Sequence, residues 1–249
     1  MHHFFAEPSQ VQADRIAITG QDVNHIKNVL RIKPGEEILI SDGTGRDYRC
    51  RVESLDSVQV EAAILEILEE GRELPSRIWL FQGLPKSDKM ELIIQKAVEL
   101  GAAAIVPVTT RNTVVKLDAR KEEAKRKRWQ AIAESAAKQS KRSLVPQVLE
   151  VMSLKEAFSY VEDHGFSVRL IPYEKEEGME ATARALKEVG PGQDIAVFIG
   201  PEGGFEQEEI NLALERGVLP VSLGKRILRT ETAGLAILSV LMMKLEGGL

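Results

Sequence analysis

The chain has 249 residues, 43% of them hydrophobic, with a formal net charge of -5 and one cysteine. That apolar content is enough to build a core in one large domain or two smaller ones, and the lone Cys50 excludes an intrachain disulfide or a cysteine-rich zinc cluster. No window approaches ~18 uninterrupted apolar residues, and the opening "MHHFFAEPSQ" lacks the basic-then-apolar order of a secretory signal, so the expectation is a cytoplasmic protein without a membrane segment.

In chain order, residues 1–71 favour strands. "RIAITG", "EEILISDG", "DYRCRVESL" and "SVQVEAAILEIL" alternate or are rich in β-branched residues, and Pro34-Gly35, Asp42-Gly43 and Asp56-Ser57 supply turns between them. Short strands this close together predict a small barrel, interrupted by a helix over 21–30 where Val23, Ile26 and Leu30 recur at helical spacing. The charged stretch "EEGRELPS", 69–76, separates two differently patterned regions, and the domain boundary is placed there, between residues 71 and 72.

From Arg77 the pattern becomes strand then helix, repeated to the end: "RIWLFQ", "SDKMELIIQKAVELG", "AAIVPV", a long basic helix, "PQVLEV", "SLKEAFSYVEDHG", "SVRLIPY", "GMEATARALKEVG", "DIAVFIG", "EQEEINLALERG", "PVSLG" and "ETAGLAILSVLMMKL". Such alternation predicts an α/β domain with a mostly parallel sheet over 72–249. Gly101, Gly165, Gly190 and Gly217 stand where left-handed helix caps are expected. Ligands of open α/β sheets bind beyond the carboxyl ends of strands, which directs attention to the loops after "RLIPY", "VFIG" and "VSLG".

In "IGPEGGFEQEEI", Gly200, Gly203 and Gly204 bracket Pro201-Glu202 at a strand end, a pattern that fits a binding loop better than an ordinary tight connection plugged by Phe205. GxGxxG does not occur and Glu202 would repel a pyrophosphate, so the expected ligand is not a polyphosphate. In "LGKRILRTETAG", Thr230 suits an N-cap and Glu231 the first turn of the following helix. Capping does not account for Ile227 and Leu228, which could line a slot for a flat ring. "GLPKSDK" lacks phosphate-loop spacing and suits a helix start capped by Ser87 or Asp88 with Glu91, while Lys86 and Lys89 could still touch a nucleic-acid backbone.

Between Arg120 and Arg142, nine Lys/Arg stand against three Glu. Trp129, Ile132, Ala133, Ala136 and Ser140 make an expected buried face, leaving Lys125, Arg126, Arg128, Lys138, Lys141 and Arg142 outward, either merely solvated or holding phosphates without sequence preference. Arg31 fits an RNA contact or a structural salt bridge equally well. The four histidines are too scattered for a metal site, and neither HExxH nor GxSxG occurs.

"HIKNVLRIKPG", "QKAVELGAAAIVPVTTRNTV", "ESAAKQSKRSLVPQV", "IGPEGGF" and "LGKRILRTETA", in this order, make the chain resemble the RsmE-type 16S ribosomal RNA methyltransferases of the SPOUT superfamily along nearly its whole length. The resemblance implies a PUA-like β-barrel that binds RNA, residues 1–71, then a SPOUT-type α/β domain with a parallel sheet and a trefoil knot, residues 72–249. It implies S-adenosyl-L-methionine as cofactor, no metal, a homodimer, and methylation of uridine at ring nitrogen 3 in the small ribosomal subunit.

Carried over residue by residue, the cofactor loops supply Leu170, Ile171 and Pro172; Ile199, Gly200, Pro201, Gly203 and Gly204; and Leu223, Gly224, Ile227, Leu228, Thr230, Thr232 and Ala233. Arg229 is expected to stabilise the uracil anion or orient a phosphate, with Glu202 accepting the proton. Arg31, Lys86, Lys89, Arg126, Lys138 and Arg142 are the expected RNA contacts. A non-catalytic RNA-binding or assembly factor, and a SPOUT methylase of another nucleotide or of ribose, remain the alternatives; the first would not bind the cofactor and the second would give a different modified nucleoside.

Overall fold

The structure, a computed structural model, describes residues 1–68 and 71–248. The chain forms two compact units, Met1–Glu73 with Ala137–Val145, and Leu74–Ala136 with Pro146–Leu249. Nothing in the sequence signals the return of residues 137–145 to the first unit, because they continue the pattern of the basic helix. Glu69 and Glu70, inside the expected linker, lie outside the described residues.

The first unit contains β1 (His2–Phe5), β2 (Arg15–Thr19), α1 (Gln21–Asn24), β3 (Glu37–Ser41), β4 (Asp47–Leu55) and β5 (Gln59–Leu68). Pairing runs β1-β3-β4-β5-β2, with β1 parallel to β3 and the remaining pairs antiparallel. It is thus an open path: among the described residues no ladder joins the outer strands β1 and β2 to close a barrel. The expected helix over 21–30 forms, but α1 passes into a wider π turn over His25–Val29, and Arg31 follows at φ 56. Val23 and Ile26 from this segment fill the core with Phe4, Ile16, Ile18, Ile38, Ile40 and Val60.

A buried polar chain fastens the returning segment to this sheet. Ser41 donates its only hydroxyl proton to Asp47, so it accepts from His3 Nε2 at 2.7 Å, while Ser143 donates to the other Asp47 oxygen at 2.8 Å. Burial pushes the His3 pKa below its ordinary value, against smaller opposing effects of the Lys138 carbonyl and Asp47. Nearby, Arg142 pairs with Glu73, which also accepts from the main-chain N–H groups of Ser143 and Leu144 at 3.0 and 3.2 Å.

The second unit runs β6 (Arg77–Gly83), α2 (Lys89–Glu99), β7 (Ala102–Thr109), α3 (Ala119–Ser140), β8 (Gln147–Val148), β9 (Met152–Ser153), α4 (Leu154–Asp163), β10 (Val168–Pro172), α5 (Glu180–Glu188), β11 (Asp194–Ile199), α6 (Gln207–Glu215), β12 (Leu219–Val221) and α7 (Thr230–Leu245), the last turn of α3 belonging to the first unit. Its sheet is parallel throughout, in the order β12-β10-β11-β6-β7-β8, with β9 also on β7. The central strands read as near-continuous apolar runs because both faces are covered. Phe81 of β6 and Phe198 of β11 stack with centroids 4.5 Å apart, a pairing that contributes about 0.5–1.5 kcal/mol beyond burial.

Three local expectations change. Gly101, Gly165 and Gly217 take positive φ but Gly190 does not; α5 ends at an extended Val189, and Gly190 instead donates to Gln193 Oε1 at 2.9 Å. Asp88 is the N-cap of α2 without a side-chain capping bond: the Glu91 main-chain N–H goes to the Asp88 carbonyl at 3.0 Å, and the Glu91 carboxylate, which could have completed a capping box, is held by Arg128 at 2.8 Å. Arg229, not Thr230, is the N-cap of α7. No helix among the described residues is long and apolar enough to cross a membrane.

Candidate active site at the carboxyl ends of β10, β11 and β12

The loops after β10, β11 and β12 enclose a cavity of about 700 Å³, within the size range of small-molecule sites. Pro172, Ile199, Gly200, Pro201, Gly204, Leu223, Gly224, Ile227, Leu228, Thr230 and Ala233 line it, together with Glu202 and Arg229. Four other residues expected there lie elsewhere. Leu170 and Ile171 point into the sheet, 1% and 0% exposed; Thr232 is exposed on α7 and lies outside the lining. Gly203 faces Asn112, whose Cβ would stand 2.9 Å from a Cβ added at 203.

Backbone approaches backbone closely here. A Cβ on Gly200 would meet the Gly204 main chain at 3.1 Å, and one on Gly83 would meet the Pro201 nitrogen at 2.6 Å. Asn112 braces the turn by donating to the Gly203 carbonyl at 2.9 Å and to Glu206 at 3.0 Å. Sequence reasoning missed Asn112; its only signal is the polar "TTRN" after a buried strand.

The charges divide by position. Glu174, Glu176 and Glu177 contribute to the lining, an acidic presence that disfavours polyphosphates and suits a ligand carrying positive charge. Their signal, "YEKEEG" directly after a strand, was also overlooked. Across the lining, Lys225, Arg226 and Arg229 contribute cations whose side chains make no hydrogen bond or ion pair among the described residues. Ile227, between them, is 83% exposed, so it stands at the rim and does not close a slot.

Glu202 accepts from the Lys86 main-chain N–H at 3.1 Å and pairs with Lys89 Nζ at 3.1 Å, which also stands 3.4 Å from Glu231. Partial burial pushes the Glu202 carboxyl upward, but its own amide, Lys89 and the Lys86 amide outweigh that and hold it below the ordinary carboxylate range. A carboxylate so held is a weak base.

The expected RNA contacts separate likewise. Arg31 is exposed, as is the Lys86 side chain, whereas Lys138 is bonded to Asp22 at 2.9 Å. Arg126 stands 3.9 Å from Glu150. Arg142 is 5% exposed and committed to Glu73, so a phosphate would have to displace a carboxylate to reach it; it holds the returning segment in place. Along the basic helix Lys127 pairs with Glu123 and Arg128 with Glu91, while Lys125 lies over the Trp129 ring and keeps its charge. Among the described residues no group of three or more His, Cys, Asp or Glu could hold a metal ion.

Family models match both parts of the chain: "RNA methyltransferase domain" matches residues 72–242 and "RNA methyltransferase PUA domain" matches 18–65. The chain is 37% identical to the ribosomal RNA small subunit methyltransferase E of Bacillus subtilis, over 99% of this chain and 98% of that one. The methyltransferase E of Neisseria gonorrhoeae, solved bound to S-adenosyl methionine, superposes with a TM-score of 0.84 at 35% identity, covering 98% of each chain. A Legionella pneumophila methyltransferase solved with the cofactor SAM gives 0.80 at 33% identity, covering 96% of each. The chain belongs to the ribosomal RNA small subunit methyltransferase E family. Its first unit is accordingly a PUA-like half-barrel and its second a SPOUT-type α/β fold.

Proposed function

We propose that this protein methylates a uridine at ring nitrogen 3 in 16S ribosomal RNA of the small subunit, using S-adenosyl-L-methionine. The observation that carries this reading is one cavity whose lining combines acidic residues and close-packed glycine backbone with the cations Lys225, Arg226 and Arg229, which have no ion-pair partner among the described residues. A cationic, phosphate-free cofactor suits the acidic and glycine residues, and an RNA strand suits the cations.

The residues present fit the cofactor. Leu223 and Leu228 offer apolar surface to a flat ring, Gly200 and Gly204 admit a ligand close to the main chain, and Glu174, Glu176 and Glu177 favour its positive charge. Bound there, S-adenosylmethionine supplies an electrophilic methyl group. The uracil imide must pass its proton to solvent water for nitrogen 3 to act as nucleophile, and methyl transfer would leave S-adenosylhomocysteine as the second product. Arg229, at the cavity edge and free of a carboxylate partner, stabilises the resulting anion through its guanidinium. Glu202 is assigned to holding Lys86 and Lys89 in place and not to accepting the proton, since three groups already hold it ionised.

In this reading residues 1–71 hold RNA, with Arg31 as one contact, and residues 72–249 carry out transfer, their carboxyl-terminal loops forming the trefoil knot of the superfamily. The protein acts in the cytoplasm as a homodimer, for which the partly exposed apolar residues of α7, Met243 among them, offer a surface. Calorimetric titration with S-adenosylmethionine tests the cofactor assignment: saturable binding at one site per chain supports it, and absence of binding returns the non-catalytic RNA-binding alternative.

A further inference from the structure

Behind the cavity, Gln82 at the end of β6 is 0% exposed and does not line the site. Its Nε2 donates to the Gly83 carbonyl at 3.0 Å and to the Thr230 hydroxyl at 2.8 Å. Both amide hydrogens are thereby spent, and the Thr230 hydroxyl, having accepted one, passes its own proton to the Gly200 carbonyl at 2.5 Å. Direction is fixed along the whole chain: turning the amide over would set Gln82 Oε1 against the Gly83 carbonyl, oxygen to oxygen. As it stands, Gln82 Oε1 is buried with no hydrogen-bond partner among the described residues.

Stability alone does not account for this glutamine: an apolar replacement would lose the bonds to Gly83 and Thr230 but would also remove the costly orphaned acceptor, two effects of opposite sign. What Gln82 provides instead is order between the two cavity loops. Gly200 and Thr230 both line the cavity, come from different strand ends, and are joined by a relay that starts at Gln82. Thr230 is free for this because it caps nothing: it is the first residue of α7, after Arg229.

We infer that Gln82 is a positioning residue for cofactor binding, acting through Thr230 to lock the Gly200 turn and the start of α7 in their ligand-competent arrangement. The inference rests on the cofactor assignment proposed above and adds a residue outside the cavity to it.

The test is thermal unfolding and calorimetric S-adenosylmethionine titration of the parent chain, Gln82→Met, Thr230→Val and the double variant, with Gln82→Leu as a second apolar replacement should the first fold poorly. Gln82→Met without ligand is expected to melt within about 4 °C of the parent, and to bind the cofactor about tenfold more weakly, the equivalent of one hydrogen bond. Thr230→Val should match it, and the double variant should also lose about tenfold and not a hundredfold, since both changes cut one relay. Parent-like affinity in Gln82→Met overturns the inference, as does affinity lost only in proportion to stability, or full additivity in the double variant. If the parent itself fails to bind, the cofactor assignment falls, an outcome distinct from a binding parent with unaffected variants.

Discussion

Asn112 donates to the Gly203 carbonyl at 2.9 Å across 91 residues of sequence, and so close that a Cβ on Gly203 would stand 2.9 Å from the Cβ of Asn112. The loop after β7 therefore sets the shape of the glycine turn after β11, and the turn in turn shapes the cavity wall. Gly203→Ala should push the two loops apart and weaken S-adenosylmethionine binding by about tenfold, with Asn112→Ala giving a similar loss because it removes the hydrogen bond instead of the space. Calorimetric titration of both variants checks this.

Arg229→Ala should reduce methyl transfer by 100-fold or more, on the order expected when a group stabilising developing negative charge is removed, while circular dichroism and cofactor affinity stay near parental values. Arg229→Lys should recover part of the rate, since it restores charge without the planar fork.

Glu202→Gln separates holding from base catalysis. If Glu202 only anchors Lys86 and Lys89, the variant keeps the pH dependence of turnover and weakens cofactor binding; a turnover profile shifted toward higher pH would instead restore Glu202 as the proton acceptor.

His3 carries a pH dependence of stability. Its folded pKa is lowered by burial, so the unfolded chain binds its proton more readily. The stability this neutral histidine contributes is complete above the unfolded value of 6.5 and declines as pH falls through it. Denaturant midpoints measured from pH 8 to 5 should fall for the parent and fall less for His3→Gln.

Arg142→Met leaves Glu73 partly buried without its cation and should destabilise the protein by about 3 kcal/mol, measured by urea unfolding. Replacing Glu73 with Leu in the same chain should return only part of that loss, because it removes the bared carboxylate but leaves the Ser143 and Leu144 amides without their acceptor.

Periodicity made the larger architecture legible: alternating strand and helix patterns from Arg77 onward gave the parallel sheet, and its carboxyl-end rule located the three loops. Short strands and turns gave the first unit, but not that its pairing stays open. Local spacing could not show partners made across long separations. Nothing near "LGKRILRTETAG" indicates that the Thr230 hydroxyl bonds Gly200 instead of capping α7, and nothing near "KQSKRSLVP" indicates that Arg142 faces Glu73. The basic helix shows the same limit: its charge is visible in the sequence, but the carboxylates that pair with Arg128 and Lys138 lie elsewhere in the chain. Leu170 and Ile171 belong to a loop-bearing strand, but they point to opposite faces of a sheet that is covered on both sides, so both side chains are buried.

The central claim is a base-specific methylation, and the most direct measurement incubates the purified protein with isotopically labelled S-adenosylmethionine and small ribosomal subunits from a strain lacking it, then identifies the labelled nucleoside by mass spectrometry. Labelled 3-methyluridine is the predicted result. Label on any other nucleoside, or none in subunits that a related family member can methylate, would contradict it.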